Sequence, residues 1–289
     1  MKRWICFVLP ALLLGCAVTP PKPADAAAPV PTVVSTPVPT EEPTPTEEPT
    51  PAPTEEPTPT PEIIGEERLA SGEFDSYFDD AIFVGDSITM QLGNYVRAER
   101  AKNAGFLGKA RFYGVIKMRV GTAARDRVDP EGVNFHYQGK NVRFSDLIRL
   151  ADANKVFLLL GVNEISWIDW DVVTGEFETL ISKIRAVKPE TEIIVQAVLP
   201  VTRRFCEKYK VEVGTWNAFN DALRKTCERN DVTFFSFTDR LMDEEGYLYT
   251  EMARDGQFHL NDLGNAAWTE ALRRFAAAEL HPDAVFETP

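Results

Sequence analysis

Five short, mostly apolar runs, at residues 81–84, 111–115, 155–160, 192–198 and 232–237, constrain this chain more than any other feature of its sequence. Each is four to seven residues long and bounded by charged residues or glycine, the pattern of strands buried on both faces. Between them lie stretches of helical period at 88–101, 143–152, 173–187 and 215–229, with a last one near 261–279. Strand-helix alternation of this kind predicts an α/β fold, a three-layer α/β/α sandwich around a mostly parallel, about five-stranded sheet. In such sheets ligands sit outside the carboxyl ends of the strands, so a functional motif is expected just after a strand.

Upstream of Ile63 the composition is of another kind. Sixteen of the 21 prolines lie at or before Pro61, no aromatic residue occurs from Thr19 to Glu62, and Thr-Glu-Glu-Pro-Thr-Pro appears three times, at 40–45, 46–51 and 54–59. A segment so poor in large apolar side chains cannot bury a core. Pro-rich chain favours extended polyproline II, and some 45 residues of it would reach on the order of 140 Å at ~3.1 Å per residue, which reads as a semi-rigid spacer. Ahead of it, Lys2 and Arg3 precede an apolar run from Trp4 to Leu14, the layout of a secretory signal and too short to span a bilayer. That run ends in Leu13-Leu14-Gly15-Cys16, which resembles the lipobox of bacterial lipoproteins and implies cleavage before Cys16 and lipid on that cysteine.

The expected organisation is therefore a signal peptide at 1–15, a lipidated Cys16 with a disordered spacer to 62, and one folded domain at 63–289, held at the extracellular side of a cell membrane by the N-terminal lipid. The chain carries a formal net charge of -13, and the folded domain alone has 28 basic against 36 acidic residues. That balance argues against nucleic acid as a partner. Only three histidines occur, His136, His259 and His281, which sets aside multi-histidine metal sites. Gly105-Phe106-Leu107-Gly108-Lys109 lacks the spacing of a phosphate-binding loop, so neither a metal nor a cofactor is expected.

Three motifs meet the positional test to different degrees. The first apolar run ends in Gly85-Asp86-Ser87, which puts Ser87 at a helix N-terminus, where free amides favour developing negative charge. The plainer reading is an N-cap turn in which Asp86 or Ser87 satisfies those amides. Thr89 stands where the nucleophile elbow of the α/β-hydrolases has its second glycine. The third run empties into Gly161-Val162-Asn163-Glu164, where the Asn163 amide is a non-titrating donor suited to an oxyanion, or simply turn chemistry. Downstream, Asp255 and His259 lie four positions apart, close enough for the carboxylate to bond one ring nitrogen and leave the other free as a base.

Taken together and in this order, the motifs resemble those of the SGNH hydrolases, also called the GDSL family, over about residues 80–275. The resemblance implies a flavodoxin-like sheet, Ser87 as nucleophile, His259 as general base and Asp255 orienting His259. It also implies an oxyanion hole from the Ser87 amide, the Asn163 side chain and a glycine amide after the second strand, best matched by Gly121, with Gly114 a nearby competitor. Two departures stand out. Three residues separate Asp255 from His259 where the family usually has two, leaving a triad with a longer turn or a dyad; and Glu164 follows Asn163 where Asp is common.

The implied activity is that of an extracytoplasmic serine esterase cleaving acyl, foremost acetyl, esters on carbohydrate through an acyl-enzyme. The partners implied are an acylated small molecule or polysaccharide and, through the lipid, a membrane. An O-acyltransferase acting on cell-wall polymer and a catalytically dead carbohydrate-binding module are the alternatives. Trp167 and Trp170, three apart after Asn163, are expected either to stack on sugar rings or to anchor a helix. Cys206 and Cys227 are expected either to pair or to be two separately buried thiols.

Overall fold

The computed structural model describes residues 62–165 and 169–287; the signal run, Cys16, the spacer up to Pro61 and Trp167 lie outside the described residues. In chain order the elements are β1 (Ile63–Ile64), α1 (Glu66–Ser71), β2 (Ala81–Gly85), α2 (Ser87–Arg100), β3 (Arg111–Gly114) and α3 (Val120–Ala124). Then come β4 (Phe135–Tyr137), β5 (Lys140–Val142), α4 (Phe144–Ala151), β6 (Lys155–Leu159), α5 (Trp170–Val187) and β7 (Glu192–Gln196). The last are α6 (Arg203–Tyr209), α7 (Thr215–Arg229), β8 (Thr233–Phe235), α8 (Asp262–Leu280) and β9 (Val285–Phe286).

The five expected strands form one sheet in the order β3-β2-β6-β7-β8, with every pairing parallel. Helices cover both faces, giving the α/β fold expected from the alternation. β2, with all five residues buried, lies next to β3 on one side and β6 on the other. The chain thus crosses over its own first central strand, and that reversal is a topological switch point at the carboxyl ends of β2 and β6. Both Gly85-Asp86-Ser87 and Gly161-Val162-Asn163 lie just beyond those ends.

Core packing follows the register. Phe83 sits opposite Phe112 on one side and Phe157 on the other, and its ring stacks on theirs at centroid distances of 4.9 and 4.5 Å. Phe275 of α8 meets the Phe157 ring edge-on and covers Phe235. Trp268, fully buried two turns earlier on α8, donates its indole N–H to Gln196 at 3.0 Å. A bidentate Arg273–Asp75 ion pair, both bonds 2.7 Å, fixes the rest of α8 to the turn before β2. β1 and β9 pair parallel, joining the two ends of the domain. His136 falls in the short antiparallel β4–β5 hairpin, in keeping with the turn or hairpin read from its neighbours.

Cys206 and Cys227 are free thiols, both buried, which selects the second of their two expected states. Burial pushes the Cys227 thiol up to about 12, so it is an inert packing group. Trp170, the first residue of α5, is half-buried with its ring 4.8 Å from that of Phe219 on α7. For this tryptophan the structure favours the anchoring role.

Candidate active site

Ser87 is the first residue of α2, and its N-cap is Asp86, whose Oδ1 accepts the Ile88 amide at 2.9 Å. The N-cap turn is therefore present and is carried by Asp86. Asp86 satisfies the helix, which leaves the Ser87 hydroxyl for another partner. That partner is His259, with Oγ and Nε2 3.0 Å apart across 172 positions of sequence.

His259 is oriented by Asp255. Its Nδ1 lies 2.7 Å from Asp255 Oδ2, while Oδ1 of the same carboxylate accepts the amides of Gln257, Phe258 and His259 at 2.8, 3.1 and 3.3 Å. The three intervening residues wrap around one carboxylate oxygen and hold the other for the imidazole. Burial would raise the Asp255 carboxyl, but the His259 bond and the amides of Gln257 and Phe258 outweigh it, and the group sits below the ordinary carboxylate range. An ionised Asp255 can only accept, so Nδ1 carries the proton and Nε2 faces Ser87 as an acceptor. The longer spacing is thus accommodated as a turn, and a closed Ser–His–Asp relay results.

The loop bearing this pair is pinned from several sides. Arg254 donates its amide to the His259 carbonyl at 2.7 Å, closing the turn on itself. Thr202 donates its amide to the Gln257 carbonyl and its hydroxyl to the Gly256 carbonyl, both at 2.8 Å. The other two histidines lie elsewhere: His136 is exposed on β4, and His281, beyond α8, bonds Glu62 at 2.8 Å.

On the other side of the switch point, Gly161 adopts a φ of +118°, a conformation that costs a residue with a Cβ dearly, and turns the chain out of β6 into the Val162–Glu164 turn. Asn163 there donates its side-chain amide to the Met118 carbonyl at 2.9 Å. One amide hydrogen is so engaged, and the second has no partner among the described residues. Gly121 occupies the second position of α3, where a backbone N–H has no intrahelical acceptor. Gly114 plays a different part. It ends β3 against the first turn of α2, where a Cβ would collide with the Met90 backbone.

Two carboxyls next to these groups, Asp86 and Glu164, are buried, which the sequence did not reveal. Asp86 is fully buried and Glu164 is 1 % exposed, and each keeps one carboxylate oxygen without a hydrogen-bond partner among the described residues. Burial pushes Asp86 up to about 7 against the pull of the Ile88 amide, and the charge of Glu164 adds to the rise. Burial likewise takes Glu164 up to about 7, with the Val120 amide and Arg119 opposing and Glu176 adding. The only signal in the sequence was adjacency: each follows or precedes a residue already singled out.

Chemically, an acceptor imidazole held at a serine hydroxyl at the first turn of a helix is an arrangement that can activate the serine for acyl transfer. Residues 83–267 match the model of the GDSL-like Lipase/Acylhydrolase family. Among solved structures, one described as a platelet activating factor from Streptococcus pneumonia is 20% identical, with a TM-score of 0.53 over 73% of this chain and 92% of that one. One described as an acylhydrolase from Bacteroides fragilis is 14% identical, with a TM-score of 0.52 over 70% and 88%. A GDSL-like lipase from Bacteroides thetaiotaomicron is 14% identical, with a TM-score of 0.51 over 74% and 97%. At these identities the likeness is one of fold. No curated protein matches the sequence.

Proposed function

The chain belongs to the GDSL-like lipase/acylhydrolase family and is an SGNH-type hydrolase, and from this premise we propose that it is an extracytoplasmic serine esterase that removes acyl groups, foremost acetyl, from carbohydrate. The observation that carries the reading is the closed relay from Asp255 through His259 to Ser87. In the proposed reaction Ser87 Oγ attacks the ester carbonyl carbon as its proton passes to His259 Nε2. The oxyanion receives the Ser87 and Gly121 amides and the free amide hydrogen of Asn163. On collapse the C–O bond to the sugar breaks, and the leaving alkoxide takes the proton from His259. Water then attacks the acyl-serine, again losing a proton to His259, and the acid departs as Ser87 recovers its hydrogen.

Carbohydrate as the acyl carrier is supported by a groove of about 480 Å³ between α2 and the start of α8. It is lined by Gln91, Asn94, Tyr95, Arg254, Leu260 and Asp262, among others. Gln91 lies one helical turn beyond Ser87, and Leu260 directly follows His259. Its side-chain amides, phenol ring and two opposite charges offer hydrogen-bond partners to a polyhydroxylated ligand, and Ala98, Leu260 and Leu263 offer apolar contact to its ring faces.

The test compares acetate release from an acetylated oligosaccharide and from nitrophenyl acetate. Tyr95→Ala and Gln91→Ala are expected to raise KM for the oligosaccharide by ~10-fold or more, as for one or two lost contacts of about 1–1.5 kcal/mol, and to leave nitrophenyl acetate turnover within about twofold. An equal effect on both substrates, or none, would remove the groove from the reading. Appearance of the acyl group on an added acceptor glycan, in place of free acid, would make the protein a transferase.

The extracytoplasmic location rests on the sequence around Cys16. In an expressing bacterium the full chain should partition with membranes and incorporate labelled palmitate, and Cys16→Ser should lose the label. Label retained in Cys16→Ser would defeat lipid anchoring at this residue.

A further inference from the structure

We propose that Glu164 is a positioning residue for the oxyanion hole, acting with Asn163 as a two-armed clamp on the backbone that presents Gly121. The inference rests on the serine-esterase reading and deepens it. Asn163 donates its side-chain amide to the Met118 carbonyl at 2.9 Å, and the neighbouring Glu164 accepts the Val120 amide through Oε1 at 2.8 Å. Two adjacent side chains from the turn after β6 thus grip both ends of the Met118–Val120 segment. The next residue is Gly121.

An ordinary cap does not account for this arrangement. A short helix is usually started by a Ser, Thr, Asp or Asn at its own N-cap. The N-cap of α3 is Arg119, whose side chain cannot accept a hydrogen bond. The acceptor comes instead from 44 positions downstream, on a side chain 1 % exposed whose second oxygen, Oε2, is buried without a partner among the described residues. Burying a carboxyl so incompletely satisfied costs stability, which a local hydroxyl at the N-cap would have avoided.

What the remote carboxyl supplies is registration. It ties the start of α3 to the turn that carries Asn163, so two donors to one oxyanion are fixed relative to each other. On its other side Gly121 lies against the carboxylate at the flexible end of the Glu176 side chain of α5. Donors placed in this way need no rearrangement when charge develops on the substrate, which is how an oxyanion hole lowers a barrier.

The test uses Glu164→Leu, which keeps volume and drops the acceptor, beside Glu164→Gln, which keeps an Oε1 for the Val120 amide. Short-chain ester kinetics, melting temperature and a Ser87→Ala control are read together. The Leu variant is expected to lose ~10²-fold in kcat, the loss typical of one misplaced oxyanion donor, with KM within about threefold of the parent protein. Glu164→Gln should recover kcat to within about tenfold. A folded Leu variant with unchanged kcat, a loss confined to KM, or a Gln variant as impaired as Leu would overturn the clamp. Should Glu164→Leu fail to fold, Glu164→Met is read in its place, and the Gln result stands as a test in either case. If the parent protein shows no Ser87-dependent turnover, the esterase reading falls and this proposal with it. If turnover depends on Ser87 yet not on position 164, only the clamp is lost.

Discussion

Replacing Ser87 with alanine is expected to reduce ester hydrolysis by ~10⁴-fold or more, and His259→Ala by a similar factor, with the double variant scarcely worse than either one. Removing the hydroxyl leaves no atom to carry the acyl group. Removing the imidazole leaves a hydroxyl at its ordinary, unreactive pKa, because nothing else described within hydrogen-bond reach of Ser87 Oγ is positioned to take the proton. The two groups act through one 3.0 Å contact, so losing either disables the same step and the effects do not add. Steady-state turnover of a nitrophenyl ester, together with mass shift of Ser87 by an organophosphonate, measures this. Full activity in Ser87→Ala would mean that the acyl group is transferred at another residue.

The second large effect is expected at Asp255. Asp255→Asn keeps an oxygen for the amides of Gln257 and Phe258, so the turn should survive. It replaces the oxygen facing His259 Nδ1 with an NH₂ group, which cannot accept from that ring nitrogen. The imidazole must then rotate or switch tautomer, and Nε2 ceases to be an acceptor for Ser87. A loss of ~10²- to ~10⁴-fold in kcat at unchanged melting temperature is the expected outcome, the upper figure being that of the corresponding change in a Ser-His-Asp protease. Activity within about threefold of the parent would show that Ser87 and His259 work as a dyad, with Asp255 serving only the turn.

The sign of the Asp255 shift also bears on pH. Its carboxyl is depressed in the folded protein, so the stabilising His259 pair is present above the unfolded carboxyl's value and is lost as pH falls through the lower folded one. Loss of the relay by protonation of Asp255 belongs to the acid extreme.

Much of this site was legible in the sequence because the signals are local. The five apolar runs became the five strands of the central sheet, with ends moved by a few residues at most. The largest difference is at 232–237, where the strand is only Thr233–Phe235. β8 is an edge strand with one neighbour, and once past it the chain enters a turn at Thr238–Arg240. The short helices α1, α3 and α6, of five to seven residues, left no periodic signal long enough to read. α3 is also capped by a group 44 residues away, which no window along the sequence contains.

By itself, the sequence determined the alternation of strand and helix, the placing of Ser87 and Asn163 just beyond strand ends, and the presence of one carboxylate within a turn of His259. Hydrophobic period and turn chemistry act over a few residues, and their consequences can be read where they are written. The tertiary structure decided everything that depends on distance across the fold. It brought His259 to Ser87 over 172 positions, wrapped the extra residue of the Asp255 turn around one oxygen, and buried Asp86 and Glu164 each with an oxygen unsatisfied. It also left both thiols unpaired and set Trp170 against Phe219. Burial and long-range hydrogen bonding are properties of neighbours that only packing assembles, so a side chain's type names its chemistry while its surroundings decide whether that chemistry is used.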